Sequence, residues 1–379
     1  MKLIHLSDLH IGKRVNEYSM LEDQEYILTK IINIIDEEKP DGVMIAGDVY
    51  DKAVPSAEGV QLFDDFLVRL SRRKLKVFVI SGNHDSPERI AFGGRLMTES
   101  GIFMSPVYDG DITPVTLEDE FGQINVYMLP FIKPAIVRKI TGDEKILSYN
   151  DALRAVTDKL NINTKERNIL ITHQFVTGAD RTESEEISVG GTDNVDASVF
   201  DAFDYTALGH IHRPQNCKSE KVRYCGTPLK YSFSEAGDKK SVTVVELKEK
   251  GNLTVRTDEL VPLRDMHEIK GKYNDIMRRD FYKDTSYGEG YMHITLTDEE
   301  DIPDAVGKLR TVYHNLMKLD YDNARTAKSN TVDGAGAVEN KSPYEHFEEF
   351  YTLQNNQPMT DVQNDFIKNL IKQVWEEEE

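Results

Sequence analysis

Cysteine is nearly absent from this chain: Cys217 and Cys225 are the only two in 379 residues. Thiols so placed make neither a disulfide framework nor a C-x-x-C metal knuckle. This excludes a disulfide-stapled secreted domain and points to structural thiols in a reducing compartment. Long apolar runs are missing too, none approaching the roughly 18 residues of a membrane span. The opening Met-Lys-Leu-Ile-His-Leu-Ser-Asp meets polar residues too soon for a signal peptide. A soluble cytoplasmic protein with no membrane association is therefore expected. Basic charge is scarce, with 46 Lys and Arg against 66 Asp and Glu leaving a net −20. Nucleic acid is held mainly by Lys and Arg on phosphates, so this balance argues against a free-standing nucleic-acid binder. It does not argue against a phosphodiester-cleaving enzyme whose partner supplies grip, because charges are screened within about 8 Å at cellular salt.

What is present is ample core material, 39% hydrophobic residues, which excludes wholesale disorder. At roughly 150 residues per domain the length suggests two or three domains. The first 260 or so residues alternate strand and helix patterns. Leu3 to Leu6 reads as an apolar strand, and Tyr26, Ile27, Ile31, Ile34 and Ile35 mark a helix over 21–38 that Lys39-Pro40 stops. Gly42 to Ala46, Lys76 to Ile80, Asn168 to Thr172 and Tyr205 to Leu208 read as strands, with a helix over Ala57 to Leu70. Val242 to Leu247 and Leu253 to Leu260 continue as β structure. Beyond about residue 262 the character changes: strands over His267 to Tyr273 and Tyr291 to Leu296, and an amphipathic helix over Ile302 to Leu319, suit a small α+β domain. Residues 321–343 read as a polar linker, followed by a helix from Thr360, whose capping partner is Gln363. That helix carries a stripe of Val362, Phe366, Ile367, Leu370, Ile371 and Val374, with Trp375 beside it. No internal repeat is evident.

The chemistry sits where the apolar strands end. Asp8 and His10 form D-x-H; Asp48 follows Gly47; Asn83 and His84 lie in G-N-H-D; His173 ends one strand; His210 and His212 form G-H-x-H. Each fragment alone is weak, since a lone histidine is more often a packed core residue than a ligand. The ordered set is strong, because open α/β sheets place their sites past the carboxyl ends of strands. Carboxylates gathered at one partly buried spot repel and are costly to desolvate unless cations compensate. Imidazole, carboxylate and amide oxygen without thiolate suit Mn²⁺, Fe²⁺ or Zn²⁺. Alternate residues of D-x-H and H-x-H share a side if the backbone is extended. Seven donors exceed one tetrahedral ion but suit two ions about 3.5–4 Å apart with a shared carboxylate.

This pattern resembles the calcineurin-like metallophosphoesterases over the first 260 residues. More closely, Ile4 to Gly12, Val189-Gly190-Gly191-Thr192-Asp193, Ala207 to Gln215 and Tyr224-Cys225-Gly226-Thr227-Pro228 resemble the SbcD nuclease-subunit family. The resemblance covers essentially the whole chain, more loosely in the linker and tail. It implies an α/β fold in which a β-sandwich is flanked by helices in α-β-β-α layers, with a small α+β capping domain and a C-terminal helical tail. The implied division is 1–260 nuclease domain, 261–322 capping domain, 323–343 linker and 344–379 docking segment. It implies two divalent ions, Mn²⁺ in both sites. Asp8, His10, Asp48 and His212 would hold one, and Asp48, Asn83, His173 and His210 the other, with Asp48 bridging. His84 would be the catalytic proton donor to the leaving group, its alternative being to orient Asn83 or phosphate. The implied partners are the SbcC ATPase, docked by the C-terminal helices, and double-stranded DNA ends and hairpins. A homodimer within a heterotetramer would form, with helices between residues 56 and 97 as the dimer contact. The implied activity is Mn²⁺-dependent exonuclease and endonuclease action in DNA double-strand-break repair, recombination and replication.

Two alternatives remain open at the level of sequence: a small-molecule phosphodiesterase of the cyclic-nucleotide type, and a catalytically silent assembly subunit. His5 is expected in the core or behind the site, and Asp51 and Asp85 are expected as turn or capping residues. His267, His293, His314 and His346 are expected to be ordinary packing or surface groups. Lys13, Arg14, Arg89, Arg95 and Arg213 are candidates for phosphate contact, none assigned.

Overall fold

The computed structural model describes residues 1–185, 194–323, 344, 347, 348, 351 and 359–376. The motif at 189–193, nearly all of the expected linker, and His346 lie outside the described residues.

Among the strands of the two large sheets, four come first: β1 (Lys2–Leu6), β2 (Gly42–Ala46), β3 (Lys76–Ile80) and β4 (Ile102–Met104). The next six are β5 (Val115–Asp119), β6 (Gly122–Leu129), β7 (Arg167–His173), β8 (Tyr205–Gly209), β9 (Gln215–Cys217) and β10 (Ser219–Tyr224). Then come β11 (Ser241–Leu247) and β12 (Leu253–Glu259). They form two six-stranded sheets, ordered β12-β11-β1-β2-β3-β4 and β9-β10-β8-β7-β6-β5. β1 to β4 run parallel, as do β6, β7, β8 and β10, while the edge hairpins are antiparallel.

Side-chain alternation builds the layers. In β1, Leu3 joins Met44, Phe78, Ile124, Ile169 and Tyr205 in a core between the sheets. Ile4 and Leu6 point the other way, against helices α1 (Leu21–Glu38) and α2 (Ala57–Arg72). The second sheet buries Leu129, Leu170 and Tyr224 with Ala152, Leu153 and Val156 of α3 (Tyr149–Lys159). This is the expected α-β-β-α layering. Ser56 caps α2, its hydroxyl accepting from Gly59 N at 3.1 Å, and Lys39 ends α1 in the left-handed region at φ 49°.

Register brings the strand ends together. Leu6 pairs with Ile45, Ala46 with Ile80, and Gly209 with His173. The residues after β1, β2, β3, β7 and β8 therefore leave one edge of the sandwich.

His5 belongs to the core between the sheets and is fully buried. Its Nε2–H donates to Leu208 O at 3.2 Å, so Nδ1 accepts from the Tyr205 hydroxyl at 2.9 Å and the ring is neutral. Burial, with Arg223 adding to it, pulls its pKa down to about 3. The unfolded chain takes up this proton first, near the ordinary 6.5. Stability from His5 is therefore present above pH 6.5 and lost as pH falls toward 3. In metal-free protein, wild type should lose about 1.4 kcal/mol per pH unit more than His5→Gln over that window, read by denaturant titration. Equal slopes would show that His5 is already charged in the fold.

The chain divides into two compact units: Met1–Ile269 with Tyr282–His293 and Val306–Lys318, and Lys270–Phe281 with Ile294–Ala305 and Leu319–Glu379. Strands β13 (Met266–Gly271), β14 (Tyr291–Leu296) and β15 (Asn315–Tyr321) form a third sheet in that order. The first of these is shorter than expected, since Tyr273–Ile276 turns into a short helix. The expected helix over Ile302 to Leu319 is corrected: only Ala305–Arg310 is helical. The Thr311 hydroxyl donates back to Lys308 O at 2.7 Å, closing the helix, and β15 follows. Leu309, Tyr313 and Leu316 are buried as a helical stripe would have them, so the periodicity fitted either structure. Helix α4 (Asp361–Glu376) has the expected capping box, Thr360 N donating to Gln363 Oε1 at 2.9 Å and Gln363 N to Thr360 Oγ1 at 3.4 Å. No described helix is long and apolar enough to cross a membrane.

Candidate metal centre

All seven expected donors and His84 meet at the common edge of the two sheets. The backbone there is not extended, so the condition under which alternate residues of D-x-H and H-x-H share a side is not met: Asp8, His10, Asp48 and His210 have φ of 52°, 43°, 47° and 104°. Each strand ends in a tight turn, and the turns are stitched together by Asp8 N donating to Gly47 O and His10 N to Asp48 O, both at 3.0 Å. Left-handed conformations in four non-glycine residues cost energy that the surrounding packing must sustain, as is common at functional sites. Space is equally constrained: a Cβ on Gly209 would lie 1.9 Å from Ala46 O, and one on Gly82 2.1 Å from Asp48 Oδ1. Only glycine admits these approaches.

Asp48 sits centrally. Its Oδ1 accepts from His84 N at 2.9 Å, and its Oδ2 lies 3.3 Å from His173 Nε2 and 3.7 Å from His10 Nε2. His173 donates Nδ1–H to Ala46 O at 2.9 Å, which turns Nε2 inward. Asn83 Oδ1 lies 3.0 Å from that Nε2 and 2.9 Å from His210 Nδ1. On the other side, His10 Nε2 and His212 Nε2 are 3.1 Å apart. Asp8 accepts from His210 N at 3.0 Å and from the Ser7 hydroxyl, which itself accepts from Cys225 Sγ at 3.1 Å. Three groups of side chains converge closely enough to hold a cation: Asp8, His10 and His212; His10, Asp48 and His84; and Asp8, Asp48 and His173.

Without a cation the cluster is electrostatically awkward. Burial raises Asp8 to about 7 despite His173 nearby. Burial also opposes ionisation of Asp48, but His173 and His10 outweigh it and hold Asp48 well below the carboxylate range. His173 is raised to about 9 by Asp48, against burial. Burial pulls His210 down to about 3 and depresses His10 and His212. His10 Nδ1 is buried and makes no hydrogen bond. Buried oxygen and imidazole donors crowding one another in this way fit divalent cations of the Mn²⁺, Fe²⁺ or Zn²⁺ type. Cys225 is turned to Ser7 and burial pushes its thiol up, so thiolate plays no part.

His84 differs from the rest. Its Nδ1–H donates to Asp51 O at 3.0 Å, and its Nε2 is 4.0 Å from Asp48 Oδ2 with the side chain 17% exposed. Asp51 holds it through a backbone carbonyl while its carboxylate takes Lys13 Nζ at 2.8 Å. Asp85 is the expected turn residue and more: its buried carboxylate accepts from Val49 N, Tyr50 N and Gly82 N at 2.9 to 3.0 Å, tying the Asp48 and Asn83 loops together. Arg213 pairs with Asp238 at 3.1 Å.

Several residues at the site escaped the sequence reading. Gln24 of α1 donates to His10 O at 2.7 Å, accepts from Gly12 N at 2.9 Å and contacts the Tyr231 hydroxyl. A polar residue on the buried face of an apolar helix was the available signal. Arg181 lies 3.5 Å over the Phe175 ring, beside His210. Ser184, Glu185, Glu235 and Lys240 surround His212; no spacing rule connects them.

The model of the calcineurin-like phosphoesterase family matches residues 1–214. A second, for the SbcD C-terminal domain and described as the type 5 capsule protein repressor C-terminal domain, matches residues 262–355. Solved structures similar to this chain include a dimetal phosphatase from Danio rerio, at 12% identity and a TM-score of 0.43, covering 69% of this chain and 96% of that one. TT1561 of Thermus thermophilus is 12% identical, with a TM-score of 0.38 over 68% of this chain and 98% of its own. Yfce, a phosphoesterase from E. coli, is 13% identical, with a TM-score of 0.28 over 65% and 88%.

Proposed function

The chain belongs to the calcineurin-like phosphoesterases, and on that premise we propose that it is the nuclease subunit of an SbcCD-type complex, cleaving DNA ends and hairpins with two Mn²⁺ ions. The observation that carries the reading is the meeting of Asp8, His10, Asp48, Asn83, His173, His210 and His212 at one edge, joined to an SbcD C-terminal domain. In this reading Asp8, His10, Asp48 and His212 hold one cation, and Asp48, Asn83, His173 and His210 the other. Such a pair, when bound, offsets charge on the phosphoryl oxygens and supplies a nucleophile at neutral pH.

The remaining work falls to the chain itself. Ala46 O fixes His173 with its Nε2 inward, and His210 N with the Ser7 hydroxyl fixes Asp8. Asp51 O holds one proton on His84 Nδ1, so a second proton taken up on Nε2, facing the cluster, is the one the imidazolium hands to the departing oxygen, leaving the ring neutral. Burial of the donors keeps bulk water from competing for phosphate.

Two exposed apolar surfaces support the assembly. On α4, Val362, Phe366 and Leu370 stand in solvent, the residues 43–80% exposed, as a helix-in-groove docking face does. Phe92 and Leu96, both above 80% exposed, lie within the stretch read as the dimer contact. The boundaries near residues 260, 322 and 343 belong to the same proposal.

End-labelled linear and hairpin duplexes incubated with Mn²⁺ or Mg²⁺, with and without the ATPase, test this. Mn²⁺-dependent cleavage stimulated by the ATPase is expected. The full chain carrying Phe366→Glu and Leu370→Glu should keep intrinsic cleavage and lose the stimulation. Turnover of a cyclic nucleotide with DNA left intact would favour the small-molecule phosphodiesterase instead, and undiminished ATPase stimulation in the double variant would refute docking by α4.

A further inference from the structure

His212 is held more elaborately than any other donor. Its backbone N donates to Glu185 Oε1 at 2.6 Å, and its backbone O accepts from Lys240 Nζ at 2.9 Å and Thr227 N at 3.1 Å. Its ring Nδ1 lies 2.6 Å from Ser184 Oγ, and Ser184 Oγ lies 2.6 Å from Glu235 Oε1. The other oxygen of Glu235 accepts from Lys240 Nζ at 2.5 Å. Glu235 is fully buried and Lys240 is 3% exposed. An uncompensated buried carboxylate is costly, so this ion pair, which Thr227 completes by accepting from Lys240 at 2.8 Å, has to be accounted for by something it does.

Hydrogen counting supplies the account. A carboxylate paired with an ammonium can only accept. The single hydroxyl proton of Ser184 therefore goes to Glu235, since any other orientation sets two oxygen lone pairs face to face at 2.6 Å. Ser184 Oγ is then an acceptor toward His212. The imidazole proton must be on Nδ1, and the lone pair on Nε2 is aimed at His10 and the centre of the cluster. A carboxylate usually touches a ligating histidine directly; here a serine hydroxyl stands between them.

We propose that Ser184 and Glu235, anchored by Lys240, are positioning residues that lock His212 in the Nδ1–H tautomer and so set the strength of one of the two cation sites. This rests on the metal-centre reading of the same cluster. The relay bears on His212 alone: His173 has Ala46 O for the same purpose, and Asn83 needs no tautomer. Loss of Ser184 should weaken one site and spare the other.

The test is calorimetric titration of Mn²⁺ into chelator-stripped full-length protein, with thermal melts as a check on folding. Wild type should take up two ions. Ser184→Ala should bind one of them about 10–100-fold more weakly and the other unchanged. Ser184→Thr, which keeps the hydroxyl, should recover most of the loss. In metal-free protein labelled with ¹⁵N-histidine, His212 should carry its proton on Nδ1 and lose that preference in Ser184→Ala. Two unchanged affinities in Ser184→Ala would overturn the relay and leave the metal centre standing. Equal weakening of both sites would mark general damage and overturn it too. A wild-type chain that binds no ion would overturn the metal centre and the relay together.

Discussion

Asp48→Asn should lower phosphodiester cleavage on the order of a thousandfold or more and reduce cation uptake from two per chain to at most one. A single oxygen of Asp48 faces donors from both halves of the cluster, with His173 at 3.3 Å and His10 at 3.7 Å. Asparagine keeps the volume but offers a single neutral oxygen and turns an amide N–H toward one neighbour. On the proposed reading, two like-charged cations would lose both a shared ligand and the negative charge between them. The backbone should tolerate the exchange, since Asp48 N and O stay available and an amide oxygen can still accept from His84 N. Metal analysis of the purified variant, beside single-turnover kinetics, reads both effects. Two retained ions with cleavage within tenfold of wild type would remove Asp48 from the centre of the account.

His84→Gln should lower turnover by about 10²–10⁴-fold while leaving two bound cations and little change in KM. The two variants should differ because, on the proposed reading, Asp48 assembles the site and His84 moves a proton in it. His84 Nε2 faces the cluster at 4.0 Å from Asp48 Oδ2, with Nδ1 anchored on Asp51 O. On the proposed role, protonation of the leaving oxygen, the defect should shrink sharply on an ester with a nitrophenolate leaving group, which departs without a proton. His84 also lies among groups close enough to hold a cation with His10 and Asp48. Metal loss in His84→Gln would make it a ligand rather than a donor, and an equal defect on both kinds of ester would make it a group that orients Asn83 or phosphate.

The framework of the site could be read from sequence because each donor follows an apolar strand whose end is marked by a glycine or a polar break. Gly47-Asp48, Gly82-Asn83-His84 and Gly209-His210 are where the chain turns. The periodicities of β1, β2, β3, β7 and β8 are short but unbroken, and α1 ends at Lys39 as its stop signal required. The reading failed where one pattern served two structures. Leu309, Tyr313 and Leu316 are spaced for a helix and buried, yet Leu316 reaches its place on a strand. The left-handed turn through D-x-H is not legible either, since local alternation carries no information about it. The hairpin of β5 and β6 was passed over, its outer strand exposed enough to lack an apolar signature. Ser184, Glu235 and Lys240 have no signal in the sequence: they reach His212 and one another from separate segments, and only folding brings a buried ion pair to a histidine.

Everything proposed for this chain depends on two cations sharing the edge where the sheets meet. Crystals grown in Mn²⁺ and measured for anomalous scattering at the manganese edge test that directly. Two peaks should stand about 3.5–4 Å apart, one against Asp8, His10 and His212, the other against Asn83, His173 and His210, with Asp48 touching both. A single peak, none, or manganese held elsewhere on the surface would contradict it.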